Sequence, residues 1–253
     1  INVAVVGGKD FAPSVGKKGT VTDVTFYEIK KGNDSVTLIE PSKYPDKLSS
    51  LFYAVSMSEY AGQFVLKGGN LFVIWQNGFN YRPTVDSDLV CFGNAEPEHL
   101  REAFSQICRN NIDPSDGIVF DADSIEFSPI REETEYGGTR IVFNAYLGRA
   151  RIPLQFDIGV GDAITPAPEL RDYPVLLDSK VPHLRVYPMA TTIAEKAEVM
   201  VTRGIINSRM KDFYDVWLLS RLFNHDYSTL RQAILNTFER RGIQLPATMP
   251  DAF

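Results

Sequence analysis

Two neighbouring stretches, Thr139–Leu147 and Arg151–Val160, alternate apolar and polar residues around Gly148-Arg149-Ala150. Alternation with period two on both sides of a glycine turn predicts an antiparallel hairpin. Shorter apolar or alternating runs at Asn2–Val6, Val21–Ile29 and Ser35–Ile39 predict a β-rich start. Phe64–Leu66 reads as a short entry segment, and Val85–Phe92, Ile118–Phe120 and Ser124–Ile130 as strands. Helical spacing is found over 43–60, where Leu48, Leu51, Phe52, Val55 and Met57 form a stripe, and over Gly69–Gln76. It recurs over Pro97–Arg109, where Leu100, Phe104, Ile107 and Cys108 share a face.

Residues 166–188 are Pro-rich and read as a connector. A helix follows, with Thr192-Ile193-Ala194-Glu195 as a capping box and Gly204 as its C-cap. The next helix, Ser208–Phe223, has a predicted buried face of Met210, Phe213, Tyr214, Trp217, Leu218 and Leu222. A last helix covers about Ser228–Arg241. The expected fold class is α/β (α+β): a mixed β-sheet flanked by helices, followed by a helical C-terminal part. The expected units are a β-rich segment with a helix at 1–61, an α/β core at 62–165 and a mainly helical part at 166–253.

The chain has 253 residues, 44% of them hydrophobic, enough to bury a core. It contains no run of 18 or more apolar residues, so no membrane helix is expected. Ile1–Gly8 is too short and uncharged for a signal peptide, and two cysteines make no disulfide framework. A cytoplasmic location is the expectation. A formal net charge of −6 argues against a general nucleic-acid coat but leaves room for a local RNA patch. The acidic excess falls in 62–165, while 166–253 is close to neutral and rich in arginine.

The candidate chemistry begins at Lys67-Gly68-Gly69, followed by Arg82-Pro83-Thr84-Val85-Asp86-Ser87-Asp88. Side chains two apart on a strand share a face, so Asp86 and Asp88 converge. Converging carboxylates suit Mg²⁺ that also holds phosphates, and a helix starting at the Gly-Gly turn would offer backbone N–H groups to those phosphates. Asp157, a charge inside an apolar strand, is a third candidate ligand, with a water-exposed strand end as the bland alternative for it and for Asp162. Lys196 lies beside the apolar stripe of its helix and could place its charge on β- and γ-phosphates, or simply be solvated. Arg209, Lys211 and Asp212 cluster at a helix start, where cations are unfavourable without an anionic partner. Gly16-Lys17-Lys18-Gly19-Thr20 lacks P-loop spacing. His99, His183 and His225 form no metal pattern, and Trp75 and Trp217 are expected in the core.

Taken in order, Phe64-Val65-Leu66-Lys67-Gly68-Gly69, Arg82-Pro83-Thr84-x-Asp86-x-Asp88, Phe156-Asp157-Ile158-Gly159, Glu195-Lys196 and Asn207-Ser208-Arg209-x-Lys211-Asp212-Phe213-Tyr214-Asp215 resemble the AbiEii/AbiGii-type nucleotidyltransferase toxins, within the DNA-polymerase-β-like superfamily. The resemblance covers roughly Tyr60 to Pro246. It implies a nucleotidyltransferase-type sheet and Mg²⁺- (or Mn²⁺-) dependent transfer of a nucleotide from an NTP. The implied acceptor is RNA, as the tRNA 3′ end, and a cognate antitoxin is implied as partner. By the same resemblance Gly68 and Gly69 shape the phosphate turn, and Asp86, Asp88 and Asp157 hold metal. Lys196 and Arg209 serve the nucleotide, and Lys211 and Asp212 complete the catalytic set. Residues 1–61 resemble instead the start of an archaeal elongation-factor-Tu-like GTPase paralogue with a degenerate P-loop. Two other readings stay open: a catalytically inactive nucleotide-binding or regulatory module, and a metal-dependent glycosyltransferase using Asp-x-Asp with a nucleotide-sugar.

Overall fold

The computed structural model describes residues 19–21, 24–31, 34–40, 44–76, 87–110, 117–130, 137–175, 180–248 and 250, with side chains from Leu48 onward. Three strands near the start, β1 (Gly19–Val21), β2 (Val24–Lys31) and β3 (Asp34–Glu40), form an antiparallel sheet in that order. The strand expected at Asn2–Val6 lies outside the described residues.

A mixed sheet of seven strands organises the rest, in the order β6-β7-β8-β5-β4-β10-β9. Its members are β4 (Phe64–Lys67), β5 (Ser87–Cys91), β6 (Ile118–Ile130), β7 (Gly138–Leu147), β8 (Ala150–Val160), β9 (Glu169–Asp172) and β10 (His183–Val186). The β7–β8 hairpin forms as its alternation predicts, with Gly148 at φ +58°. The two strands expected at 118–120 and 124–130 are one long β6, broken only by a register shift between Asp121 and Glu126. The stretch read as a connector carries β9 and β10. Here β10 runs parallel to β4, and β9 pairs antiparallel with β10 at the sheet edge.

Six helices accompany the sheet among the described residues: α1 (Tyr44–Met57), α2 (Leu71–Trp75), α3 (Pro97–Arg109), α4 (Met189–Arg203), α5 (Met210–Leu222) and α6 (Tyr227–Arg240). Phe156 of β8 anchors the core, its ring within 6.2 Å of Phe52 on α1, 6.0 Å of Phe104 on α3 and 6.2 Å of Phe143 on β7. Alternation then turns Asp157 to the opposite face of the sheet. On the C-terminal side, Ala190 and Ala194 of α4 meet Ala233 of α6, small residues that let the two helices approach closely.

Three helical expectations are corrected. The Gly69–Gln76 helix is a 3-10 turn, Gly68–Asn70, followed by the five buried residues of α2. Thr192 and Glu195 are not a capping box: α4 begins at Met189, after the extended Pro188, and both residues lie within the helix. On α5 the buried residues are Asp212, Asp215, Leu218 and Leu219, while Met210, Tyr214, Trp217 and Leu222 are exposed. Trp75 is in the core as expected; Trp217 is not.

Candidate functional site

Strand β5 brings the first group together. Asp88 stands in register with Asp157 on the parallel β8 and with Lys67 on the antiparallel β4. Residues opposed in this way point to the same face, so both carboxylates share one side of the sheet. Gly68 follows Lys67 with φ +74°, where a side chain is strained. A Cβ there would sit 2.0 Å from Asp88 Oδ2, so the glycine is also the only residue that lets the carboxylate lie against this turn. Asn70 ties the turn to the strand, Nδ2 donating to Ser87 Oγ at 3.2 Å in a buried bond. Asp86, the partner expected beside Asp88, lies outside the described residues, as do Arg82 and Pro83.

Asp157 is mid-strand between the buried Phe156 and Ile158, not at a solvated strand end. Arg140 of β7, its register partner, holds it with two 2.8 Å hydrogen bonds, from Nε to Oδ1 and from Nη2 to Oδ2. Such bidentate pairing fixes the carboxylate and engages both its oxygens. Among the described residues no group of three or more His, Cys, Asp or Glu is placed to hold a metal. Asp88 and Asp157 do supply hard oxygen donors on one face beside the glycine cradle, the chemistry Mg²⁺ or Mn²⁺ takes. The short α2 offers little over one helical turn, so Gly68-Gly69 rather than a helix terminus is what a phosphate would meet.

A second group was not singled out as a unit by sequence reasoning. Lys67 Nζ lies 2.6 Å from Asp162 Oδ2 and 3.3 Å from Glu195 Oε2. The Tyr187 hydroxyl donates to the same Asp162 oxygen at 2.6 Å. Burial works against the Lys67 charge, yet Glu195 and Asp162 outweigh it, Asp88 adds to them, and the ammonium's pKa is raised. Burial alone would raise Asp162; Lys67 and the hydroxyl of Tyr187 hold its carboxyl down at about 2. Glu195 moves the other way, raised by burial against the pull of Lys67 and Arg241. The neighbouring Glu198 pairs with Arg241 and accepts from Thr202 Oγ1 at 2.6 Å. The local signals for this group were Lys67 directly before Gly68-Gly69 and the Glu195-Lys196 pair; the partners of Lys67 are 95 and 128 residues away.

Helix α4 leads from this group to a third. Lys196, next to Glu195, lies 2.7 Å from Asp212 Oδ1 and 2.9 Å from Asp215 Oδ2. Both acids are on the inner face of α5, at 1% and 0% exposure. Arg209 Nε is 2.9 Å from Asp212 Oδ2 but not aligned for a hydrogen bond, which leaves that buried oxygen without a donor. Lys211, one residue round the helix, is exposed. Sequence reasoning thus named Lys196, Arg209 and Asp212, which the fold gathers, and quoted Asp215 at the end of the motif without giving it a role. The histidines have local partners: His99 meets Gln63 at 3.0 Å, His183 meets Asp172 at 2.5 Å, and His225 meets the Leu219 carbonyl at 3.0 Å.

A model of the nucleotidyl transferase AbiEii toxin family, from type IV toxin–antitoxin systems, matches residues 50–253. The chain belongs to the AbiEii family. Its Gly68-Gly69 turn, Asp88, Asp157, Lys196 and Asp212 all fall inside the AbiEii match. A protein of Methanocaldococcus jannaschii without an assigned function, MJ0325, is 45% identical over 51 residues, 20% of this chain and 17% of that protein. The chain therefore spans under a fifth of that relative's length. Among solved structures, JHP933 of Helicobacter pylori is 12% identical with a TM-score of 0.47, covering 76% of this chain and 75% of that one. A second H. pylori protein, provisionally described as a nucleotidyltransferase, is 13% identical with a TM-score of 0.47, covering 79% and 77%.

Proposed function

We propose that this AbiEii protein is a nucleotidyltransferase that moves NMP from an NTP to a hydroxyl acceptor at the 3′ end of an RNA, tRNA first among them. The observation that carries the reading is Asp88, in register with Asp157 and backed against Gly68. In the reaction the acceptor oxygen forms a bond to the α-phosphorus, the bond from that phosphorus to the bridging oxygen breaks, and pyrophosphate leaves. A Mg²⁺ or Mn²⁺ held by Asp86, Asp88 and Asp157 would supply charge neutralisation and a lowered pKa for the attacking hydroxyl. Gly68 and Gly69 give the phosphates a close approach to backbone. Lys196 and Arg209 meet the negative charge of the triphosphate. Asp212, held by Lys196 and Arg209, would accept the hydroxyl proton, and Lys211 would face the acceptor. A toxin of this class works in the cytoplasm beside a cognate antitoxin. No described helix is long and apolar enough to cross a membrane.

A second reading, nucleotide binding without turnover, draws support from the Arg140 clamp on Asp157 and from the two acids on Lys196. Incubation with Mg²⁺, each α-³²P-labelled NTP and total tRNA, resolved on a denaturing gel, separates the two. Label on tRNA is the expected result. NTP binding with no labelled product would replace the first reading by the second. Label from a nucleotide-sugar but not from any NTP would move the chain to the glycosyltransferases.

A further inference from the structure

Helix α5 has its polarity reversed. Its acids, Asp212 and Asp215, face inward to Lys196, while Met210, Tyr214 and Trp217 face out. Met210 is 67% and Trp217 53% exposed, and Ile205 and Ile206, in the 3-10 turn just before the helix, are 81% and 84% exposed. The Tyr214 and Trp217 rings lie together, centroids 5.9 Å apart. Met210, Tyr214, Trp217 and Arg221 follow each other at intervals of four, three and four, the spacing of a seam between packed helices. Exposed cations flank these residues along the chain: Arg203 just before Ile205, Lys211 next to Met210, and Arg221 at the end of the seam. Between Glu198 and Asp226 the sequence has no acids except the inward-facing Asp212 and Asp215. On a chain of formal charge −6, this is an apolar ridge with a positive rim.

We infer that the outer face of α5 docks an amphipathic helix of another protein, one whose apolar stripe is flanked by Asp and Glu. Charge complementarity selects this occupant. A second copy of the chain related by a two-fold axis would set like cations against each other across the contact. Single-stranded nucleic acid would use the cations and the two rings, but leaves Ile205, Ile206 and Met210 with no base face to stack on. An acidic amphipathic helix covers the ridge and pairs the rim together. The inference rests on the exposed ridge and not on turnover, and shares only Lys211 with the transfer chemistry proposed above. A partner seated there would bear on the helix that carries Asp212 and Asp215.

The test uses the whole chain and three fluorescein-labelled probes: a synthetic amphipathic helix with Leu in its stripe and Glu on its flanks, the same peptide with Lys for every Glu, and oligouridylate. Anisotropy is read at low salt, and sedimentation gives the oligomeric state. The acidic peptide is expected to bind, with the basic one weaker by about tenfold or more. Trp217→Ala should weaken the acidic peptide by about tenfold, as for a central interface aromatic, without shifting Tm. Arg221→Glu, an exposed charge reversal, should narrow or invert the preference between the peptides and serves if the tryptophan variant folds poorly. Failure of the acidic peptide to bind overturns the inference, as does equal binding of both peptides. Oligouridylate binding lost in Trp217→Ala assigns the face to nucleic acid instead, and a dimer that Trp217→Ala dissociates assigns it to a second copy.

Discussion

The Oδ2 atom of Asp88 occupies the space that a side chain on Gly68 would need, 2.0 Å from the position of a Cβ. Gly68→Ala therefore carries two penalties, a left-handed φ of +74° and a collision with the candidate ligand. The first costs about 1–2 kcal/mol. Gly148→Ala meets only the first, with φ +58° and open space around it. Gly68→Ala is expected to lose Mg²⁺-dependent NTP binding, and Gly148→Ala to keep it with the smaller fall in Tm. Equal NTP affinity in the two variants would show that Asp88 does not depend on the turn.

Lys196 is shared by two carboxylates that see almost no water, so its removal takes a cation from both and leaves Asp212 with Arg209. Lys196→Ala is expected to destabilise by about 3 kcal/mol or more in urea unfolding. Adding Asp215→Ala should recover part of that loss, since one of the two carboxylates facing the vacated position goes with it. A single variant as stable as the parent would mean that the pairing is cosmetic. The NTP KM should rise in both, which separates the phosphate role from the packing role.

Asp162 is the hub of the second group, accepting from both Lys67 and Tyr187. Asp162→Asn keeps the shape and removes the charge, leaving Lys67 with Glu195 and the weaker pull of Asp88. A cost of about 3 kcal/mol is expected from chemical denaturation, with Lys67→Met of similar size. Because the two act on one interaction, the double variant should cost less than the sum of the singles. Strict additivity would dissolve the cluster as an energetic unit.

Glu195 and Asp162 give stability opposite dependences on pH. The folded pKa of Asp162, about 2, lies below its ordinary 3.8, so its contribution is present above that value and is lost as pH falls toward 2. Glu195 is raised above 4.5, so its contribution is complete below 4.5 and drains away as pH climbs through the raised value. Glu195→Gln cannot ionise. Its Tm is expected to lack the decline that the parent shows as pH climbs above 4.5. Parallel profiles would assign the decline elsewhere.

Much of this was legible in the chain. The β7–β8 hairpin announced itself because one face is buried and the other is not, and Asp157 stood out as a charge between Phe156 and Ile158. β9 was hidden for the opposite reason: all four of its residues are exposed, so Glu169–Asp172 shows no alternation. The capping-box pattern at Thr192 and Glu195 is a local rule, and tertiary burial overrode it by using Glu195 for Lys67. Trp217 was misplaced because an apolar stripe was equated with an inward face; on α5 the ion pairs with Lys196 take that side. No window of sequence shows Lys67, Asp162 and Glu195 meeting.

β5 has hydrogen-bonded neighbours on both sides, β8 and β4, and further strands beyond each. The amides around Asp88 can therefore exchange with solvent only when the sheet itself comes apart. Deuterium uptake at Ser87–Val90 should follow global unfolding, not a local opening. Heating then has no temperature range in which this acid is lost from an otherwise intact molecule: the site disappears and returns with the fold.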